Sequence, residues 1–389
     1  MMEFQMPQDT TSAFLKLETP PLLILLLPFF MTFVGTPIAR EIAIKLGIVD
    51  APIEGSSKIH QKPIPYLGGL PLLIGIATGV YIVLHEGAGS LPGSFNLWLV
   101  LSALVIIFIV GLWDDVRGMI PGVKMSLLGV CGTLMFFGGA RVQFIPDSWG
   151  MIGDIISWAL TLFWFLGITN AANLMDNMNG LAAGTGIVAG LSIYTIALIG
   201  GDPVGIGLSL ILVGALLGYL PYNYPKASIF FGDAGSMVLG FYLSFLGLMA
   251  GRIPLNPPDG FDLLSHTLAP IIVFGIFVFD TFFVAFSRAK RKINFWWGGR
   301  DHTSHRFVNY GFSKSYAAAL VWILGAAFGG IGIAAKVVPG WLATILAILS
   351  LAGGIWFGRQ LDKIPVENVR IGASNIREKK HQRGSLKAG

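Results

Sequence analysis

What most constrains this chain is a recurrence of apolar runs, each close to the ~20 residues that carry an α-helix across a bilayer. Eleven such runs lie near 21–39, 67–84, 97–113, 124–140, 155–171, 181–200, 204–221, 236–250, 266–286, 315–335 and 340–358. A soluble fold of 389 residues would need a polar shell, yet only 12% of the chain is charged, against roughly 25% in average globular proteins. The 51 glycines, many inside the apolar runs, suit closely packed membrane helices. A soluble enzyme, a disordered protein and a secreted disulfide scaffold are all excluded, the last because Cys131 has no second cysteine to pair with. The expected fold class is all-α: a polytopic integral membrane protein with about eleven transmembrane helices.

Eleven spans put the two termini on opposite sides, and lysine and arginine decide which side is which. Of the 26 basic residues, 22 fall in one alternate set of segments, which includes the C-terminus. The other set holds only Lys16, Arg141, Arg252 and Lys336. The first set is therefore expected to be cytoplasmic. The net charge of +5 then reflects topology and anionic headgroups, with no nucleic-acid partner. The stretch before the first run carries acids and almost no basic charge, a poor signal-peptide start, so an uncleaved first helix is expected.

Sorted by side, five polar clusters fall on the expected cytoplasmic face. Lys58, His60 and Lys62 precede PIPYLGG, and Asp114 and Asp115 end the third run. NAANLMDNMNGLAAG (170–184) joins the fifth and sixth runs, FFGDAGSMVLGF (230–241) opens the eighth, and GRDHTSHRFVNYGFS (299–313) fills the longest loop. Each cluster has a bland reading beside the functional one. Neighbouring acids can simply solvate a helix end, but on a helix they point about 100° apart and so serve different partners. Asn170, Asn173, Asp176, Asn177 and Gly180 form a polar stripe if the helix continues, or a capped turn if it ends. Asp233 reads as an N-cap, at a helix start that is also suited to phosphate. His302 and His305 are three apart, flanked by Arg300, Asp301 and Arg306. That basic flank favours an anion, with an internally bonded loop or a zinc pair as the alternatives. Scattered carboxylates beside phosphate-seeking cations suggest divalent-metal phosphoryl transfer, because Mg²⁺ binds through one or two carboxylates plus substrate phosphates.

Taken together, these segments resemble the polyprenyl-phosphate N-acetylhexosamine-1-phosphate transferases, a family that includes the phospho-N-acetylmuramoyl-pentapeptide transferases. The matching pieces are KIHQKPIPYLGG, the Asp114–Asp115 pair, NLMDNMNGL at 173–181, FFGDAGSMVLGF, and DTFFVAFSR at 280–288 followed by DHTSHR. They run in family order from residue 58 to 313. The resemblance implies a Mg²⁺-dependent reaction, with Mn²⁺ as a substitute, in which polyprenyl phosphate attacks the sugar-bearing phosphorus of a UDP-N-acetylhexosamine and releases UMP. It implies catalytic roles for Asp114, Asp115, Asp176 and Asp233, with Asp115, Asp176 and Asp233 as metal candidates. Asn173 and Asn179 fall with the nucleotide, Lys58, His60 and Lys62 assist it, and Arg300, Asp301, His302, His305 and Arg306 hold the diphosphate.

The PIPYLGG loop and the His-x-x-His spacing resemble the N-acetylglucosamine-type members. The common Asp-x-x-Asp-Gly-Leu stretch departs here, with Asn179 at the second acid. Asp280 is also motif-matched and needs a partner at its depth, for which Arg288 is the expected cation. On this reading, residues 1–20 form a non-cytoplasmic segment, 21–358 a transmembrane catalytic domain, and 359–389 a basic cytoplasmic tail. The chain would sit in the inner (plasma) membrane, with a homodimer as a further expectation. The competing readings are a muramoyl-pentapeptide transferase, a secondary transporter and an inactive homologue.

Overall fold

The computed structural model describes residues 17–50, 63–87, 91, 95–252, 262–295 and 299–366. Lys58, His60 and Lys62 lie outside the described residues, as do most of the N-terminal segment and of the basic tail. Among the described residues the chain is helical apart from one two-stranded antiparallel ribbon, β1 (Val49–Asp50) with β2 (Ile64–Pro65). The helices are α1 (Pro21–Leu46), α2 (Gly69–Glu86), α3 (Leu97–Arg117), α4 (Pro121–Phe137), α5 (Gly150–Met175), α6 (Leu181–Ile199), α7 (Pro203–Asn223), α8 (Gly232–Ala250), α9 (Leu263–Val273), α10 (Gly275–Lys290), α11 (Thr303–Tyr310), α12 (Lys314–Val337) and α13 (Gly340–Leu361).

Nine of these helices are long and apolar enough to span a bilayer, and α4 is a shorter apolar helix of 17 residues. Each of the eleven apolar runs is helical, with one change. The run at 266–286 is expected as a single span but breaks at Phe274 into α9 and α10, bent by 60°. Gly275 stands at the break with the Phe328 ring where a Cβ would project, so the bend makes room for a side chain of α12.

The protein is a multi-pass membrane protein. Its long helices carry exposed large apolar side chains such as Leu23, Phe30, Ile109, Phe163 and Leu349, a surface that only a lipid solvent suits. Exposed Trp98, Trp113, Tyr316 and Trp341 stand near helix ends, where amphipathic rings sit at a membrane interface. Inside the helices, hydroxyls such as Thr161 and Ser244 bond back to the carbonyl one turn earlier, on Ser157 and Gly240, which satisfies these donors within their own helix. The helices α7 and α8 form the buried centre, while α13 lies on the outside.

Two close backbone approaches place the functional end of α8. Gly111 of α3 and Gly69 of α2 face Ala234 and Gly235, and a Cβ at either glycine would collide with that backbone. The ribbon is stitched to the same place: Phe230 N–H donates to the Pro65 carbonyl at 2.9 Å, and Gly68 N–H donates to the Phe230 carbonyl at 3.0 Å. PIPYLGG and FFGDAG are thus joined through their main chains. Leu67, between them, has φ 115°, a strained value for a branched side chain.

Candidate active site

The first turn of α8 is where the acids meet. Gly232 opens the helix at φ 68°, and a Cβ there would strike the Asp115 carboxylate, so only glycine fits. The sequence expectation of an N-cap at Asp233 is corrected. Asp233 is the second residue of the helix, and the cap comes from α3 instead. Asp115 Oδ1 accepts the Asp233 N–H at 2.8 Å, and Oδ2 accepts the Ala234 N–H at 3.0 Å. A carboxylate at a helix N-terminus satisfies orphan donors and suits the dipole. With the backbone so held, the Asp233 side chain is left to face other groups.

Those groups are Lys124, Asn173 and Asp114. Lys124 of α4 donates to Asp114 Oδ2 at 2.9 Å and to Asp233 Oδ2 at 3.0 Å, so one ammonium bridges two carboxylates. Asp114 Oδ1 accepts the Met119 N–H at 2.7 Å, which fixes the α3–α4 turn. Asp114 and Asp115 therefore turn to different partners, as their offset on the helix dictates. Asn173 Nδ2 donates to Asp233 Oδ1 at 2.9 Å and lies 2.8 Å from Ser236 Oγ. Lys124 is a residue that the sequence reading passed over. Its signal was available: a lysine three residues into an apolar helix, one loop beyond the acid pair.

The polar stripe at 170–184 does not continue as helix. α5 ends at Met175, Asp176 is its C-cap, and a turn leads to Gly180 at φ 72°. A left-handed residue suits Gly here, and Asn223 Oδ1 accepts its N–H at 2.6 Å. The asparagines reach separate elements. Asn170 donates to the Leu166 carbonyl and contacts the Met125 sulfur, and Asn179 donates to the Pro225 carbonyl at 3.3 Å. Asn177 Oδ1 accepts the Ser304 hydroxyl at 2.7 Å. Asp176 has no hydrogen-bond partner for its carboxylate among the described residues. Burial first, and the nearby Asp233 second, push its pKa up to about 7. Tyr66, within PIPYLGG, is half-buried near Asp50, Asp115 and Asp233, and burial together with these acids holds its phenol well above its ordinary pKa.

The Asn177–Ser304 bond brings in the basic loop. His302 is the N-cap residue of α11, and the His302 and His305 rings stand 6.4 Å apart. His302 Nδ1 lies 2.8 Å from Asp280 Oδ2, so the cation expected for Asp280 is replaced by an imidazole. Arg288 pairs instead with Asp301, by Nη2–Oδ1 at 2.7 Å and Nε–Oδ2 at 3.0 Å, and Arg291 joins the same carboxylate at 2.5 Å. Burial alone would raise the Asp301 pKa, but the two guanidiniums outweigh it and lower it to about 2. Burial first, then His302 and Arg300, lowers the His305 pKa to about 4.

Arg306 is buried, with its guanidinium on the Leu361 and Ile364 carbonyls, Ser287 and Asp362. Asp301 and Arg306 are thus committed to internal bonds, while the turn that carries His302 and His305 is bonded to Asn177 through Ser304. Among the described residues no three His, Cys, Asp or Glu side chains group to hold a metal ion, either at the histidine pair or at Asp114, Asp176 and Asp233.

Residues 97–251 match the family model described as glycosyl transferase family 4. The chain is 31% identical over 318 residues to a probable undecaprenyl-phosphate N-acetylglucosaminyl 1-phosphate transferase of Bacillus subtilis strain 168, covering 81% of this chain and 84% of that one. The chain belongs to glycosyl transferase family 4. A decaprenyl-phosphate N-acetylglucosaminephosphotransferase of Mycolicibacterium smegmatis is 33% identical over 328 residues, covering 77% of this chain and 78% of the relative. A phospho-N-acetylmuramoyl-pentapeptide-transferase of a Synechococcus strain is 30% identical over 327 residues, covering 79% and 85%. In this glycosyl transferase family 4 member, the matched stretch holds both the Asp114–Asp115 pair and Asp233, while the histidine loop lies beyond it.

Proposed function

We propose that this protein transfers N-acetylglucosamine 1-phosphate from a UDP-sugar to a polyprenyl phosphate such as undecaprenyl phosphate. The names of its relatives support the reaction class. The observation that carries the reading is the Lys124 ammonium held between Asp114 and Asp233, directly in front of the α8 N-terminus. Two hard oxygen donors converge there on a cation, and Asp176 stands nearby with a carboxylate that no described hydrogen bond occupies. That donor set suits Mg²⁺, which is content with two carboxylates when substrate phosphates complete its shell. Asp233, with Asp114 or Asp176, would hold the ion, and Mn²⁺ would be tolerated. When bound, it neutralises charge on the diphosphate.

The remaining work falls to the chain's own residues. Asp115 holds the α8 N-terminus in place, and Asn173 orients the Asp233 carboxylate. Asp114 and Lys124 receive the phosphate of the polyprenyl acceptor. His302, His305 and Arg300 receive the diphosphate of the donor. An oxygen of the lipid phosphate forms a bond to the sugar-bearing phosphorus, the bond from that phosphorus to the bridging oxygen breaks, and UMP leaves. Such a reaction rests on positioning and charge stabilisation more than on covalent chemistry with the protein. The excess of basic residues on this side of the bundle supports a site on the cytoplasmic face of the plasma membrane.

A donor panel tests the assignment. Purified protein with Mg²⁺ and polyprenyl phosphate is offered UDP-N-acetylglucosamine, UDP-N-acetylgalactosamine and UDP-N-acetylmuramoyl-pentapeptide. Lipid-linked product from the first donor is expected. Product from the pentapeptide donor alone would move the protein to the muramoyl branch, and product from none would end the transferase reading.

A further inference from the structure

We propose that Asp280 is a positioning residue for this transfer: from within α10 it caps α11 and fixes the His302 ring so that Nε2 meets a phosphate oxygen of the donor. The proposal rests on the transferase reading above. An aspartate buried to 2% exposure in a membrane helix needs a compensating partner. The basic residue one would expect, Arg288, is taken by Asp301. The described partners of Asp280 both lie at the start of α11. Oδ1 accepts the Thr303 N–H at 2.8 Å, one of the helix's orphan donors, and Oδ2 takes His302 Nδ1 at 2.8 Å.

Those two bonds fix both the backbone and the ring of one residue pair. A carboxylate on Nδ1 sets the ring's orientation and places a proton on that nitrogen. His302 is 4% exposed, and among the described residues Nε2 has no partner, so it is the ring's end left for a ligand. The same turn of α11 is anchored to the catalytic centre by the Ser304–Asn177 bond, next to Asp176. Asp280 thus sets His302 relative to the carboxylates without touching substrate itself. It clamps a backbone and a ring at the start of α11, as Asp115 accepts two backbone N–H groups at the start of α8.

The test uses the full chain in lipid nanodiscs with ¹⁵N-labelled histidine, as wild type, Asp280→Asn, His302→Gln and the double variant. The His302→Gln spectrum assigns the ring by difference. A protonated Nδ1 is expected in wild type and a deprotonated one in Asp280→Asn, whose amide offers a hydrogen where the carboxylate accepted one. In UMP-release assays Asp280→Asn should raise KM for UDP-N-acetylglucosamine ~10- to 100-fold, the usual cost of losing a carboxylate that orients a functional imidazole. KM for polyprenyl phosphate should hold, and the variant should add nothing in the His302→Gln background.

An equal cost in both backgrounds, a rise confined to polyprenyl phosphate, or an unprotonated Nδ1 in wild type would overturn the proposal. If Asp280→Asn does not fold, the wild-type nitrogen spectrum and Asp280→Glu still decide it. A wild type without transfer activity would instead sink the transferase reading, while the spectrum reports the Asp280–His302 bond independently.

Discussion

Two regions of this molecule are built around the same device and differ in what they leave over. At the α8 N-terminus and at the α11 N-terminus, an aspartate from another helix accepts backbone N–H groups and so holds a second helix in place. In the α8 region the acids share partners: Asp114 and Asp233 share Lys124, Asp114 also takes the Met119 N–H and Asp233 the Asn173 amide, and the Asp176 carboxylate has no hydrogen bond among the described residues. In the α11 region the acids are committed. Asp301 binds two arginines, and Asp362 takes Ser287, Lys290 and Arg306. The first arrangement gathers acids around a single ammonium. The second is a scaffold that presents a few nitrogens, chiefly those of His302 and His305. Charge density on a loop is therefore a poor guide to which charges are left outside ion pairs.

The comparison can be broken most sharply at Asp233. Asp233→Asn should lower UMP release by ~10³-fold, the scale expected when a single preorganised charge is lost, while the detergent-solubilised protein keeps its melting profile. Near wild-type turnover would remove Asp233 from the reacting centre. Lys124→Met should cost somewhat less, ~10²-fold in kcat, because a bound metal would take over part of its neutralising role. An unchanged kcat would make the bridge structural.

In the α11 region the effect should move from turnover to stability. Asp301→Asn leaves two guanidiniums facing an amide, and breaking a buried pair in this way costs about 3–5 kcal/mol. The melting temperature should fall clearly, with activity per folded molecule changed only a few-fold. A large loss of turnover in protein that melts normally would place Asp301 on substrate.

Asp176 sharpens the contrast through pH. Its folded pKa, about 7, lies above the ordinary carboxylate value, so the fold disfavours its charged form. Its contribution to stability is intact below pH ~4 and is lost as pH rises through 7. Asp176→Asn should then raise the melting temperature at pH 8 in the absence of divalent metal and leave it unchanged at pH 4. An equal shift at both values would mean that Asp176 is not strained by burial. The smallest effect is expected at Asn179→Asp. Its amide makes one long, exposed hydrogen bond to Pro225, so turnover should stay within about threefold.

Much of this was legible in the sequence, and the failures have physical reasons. Run length and basic-residue asymmetry located the helices and grouped the polar clusters at one end. The break at Phe274 was hidden because a bent span and a straight one have the same composition. The partners of Asp280, Asp301 and Arg306 were missed because sequence position points to partners nearby on the same segment, such as Arg288 for Asp280, whereas here they are set by packing between α10, α11 and the end of α13. Lys124 was overlooked for a related reason: one basic residue near a membrane face reads as topology until its side chain is seen between two acids. The Asp233 cap was assigned to the wrong residue because a cap from another helix leaves no local signature.

The central claim is that the acids gathered at α8 serve a metal-dependent transfer to a lipid phosphate. The most direct measurement follows ³²P from β-labelled UDP-N-acetylglucosamine into polyprenyl product, with and without EDTA, using the purified full chain. Label in the lipid and UMP in equal amounts are expected, abolished by chelation and restored by Mg²⁺. Label transfer that persists undiminished in excess EDTA would contradict it.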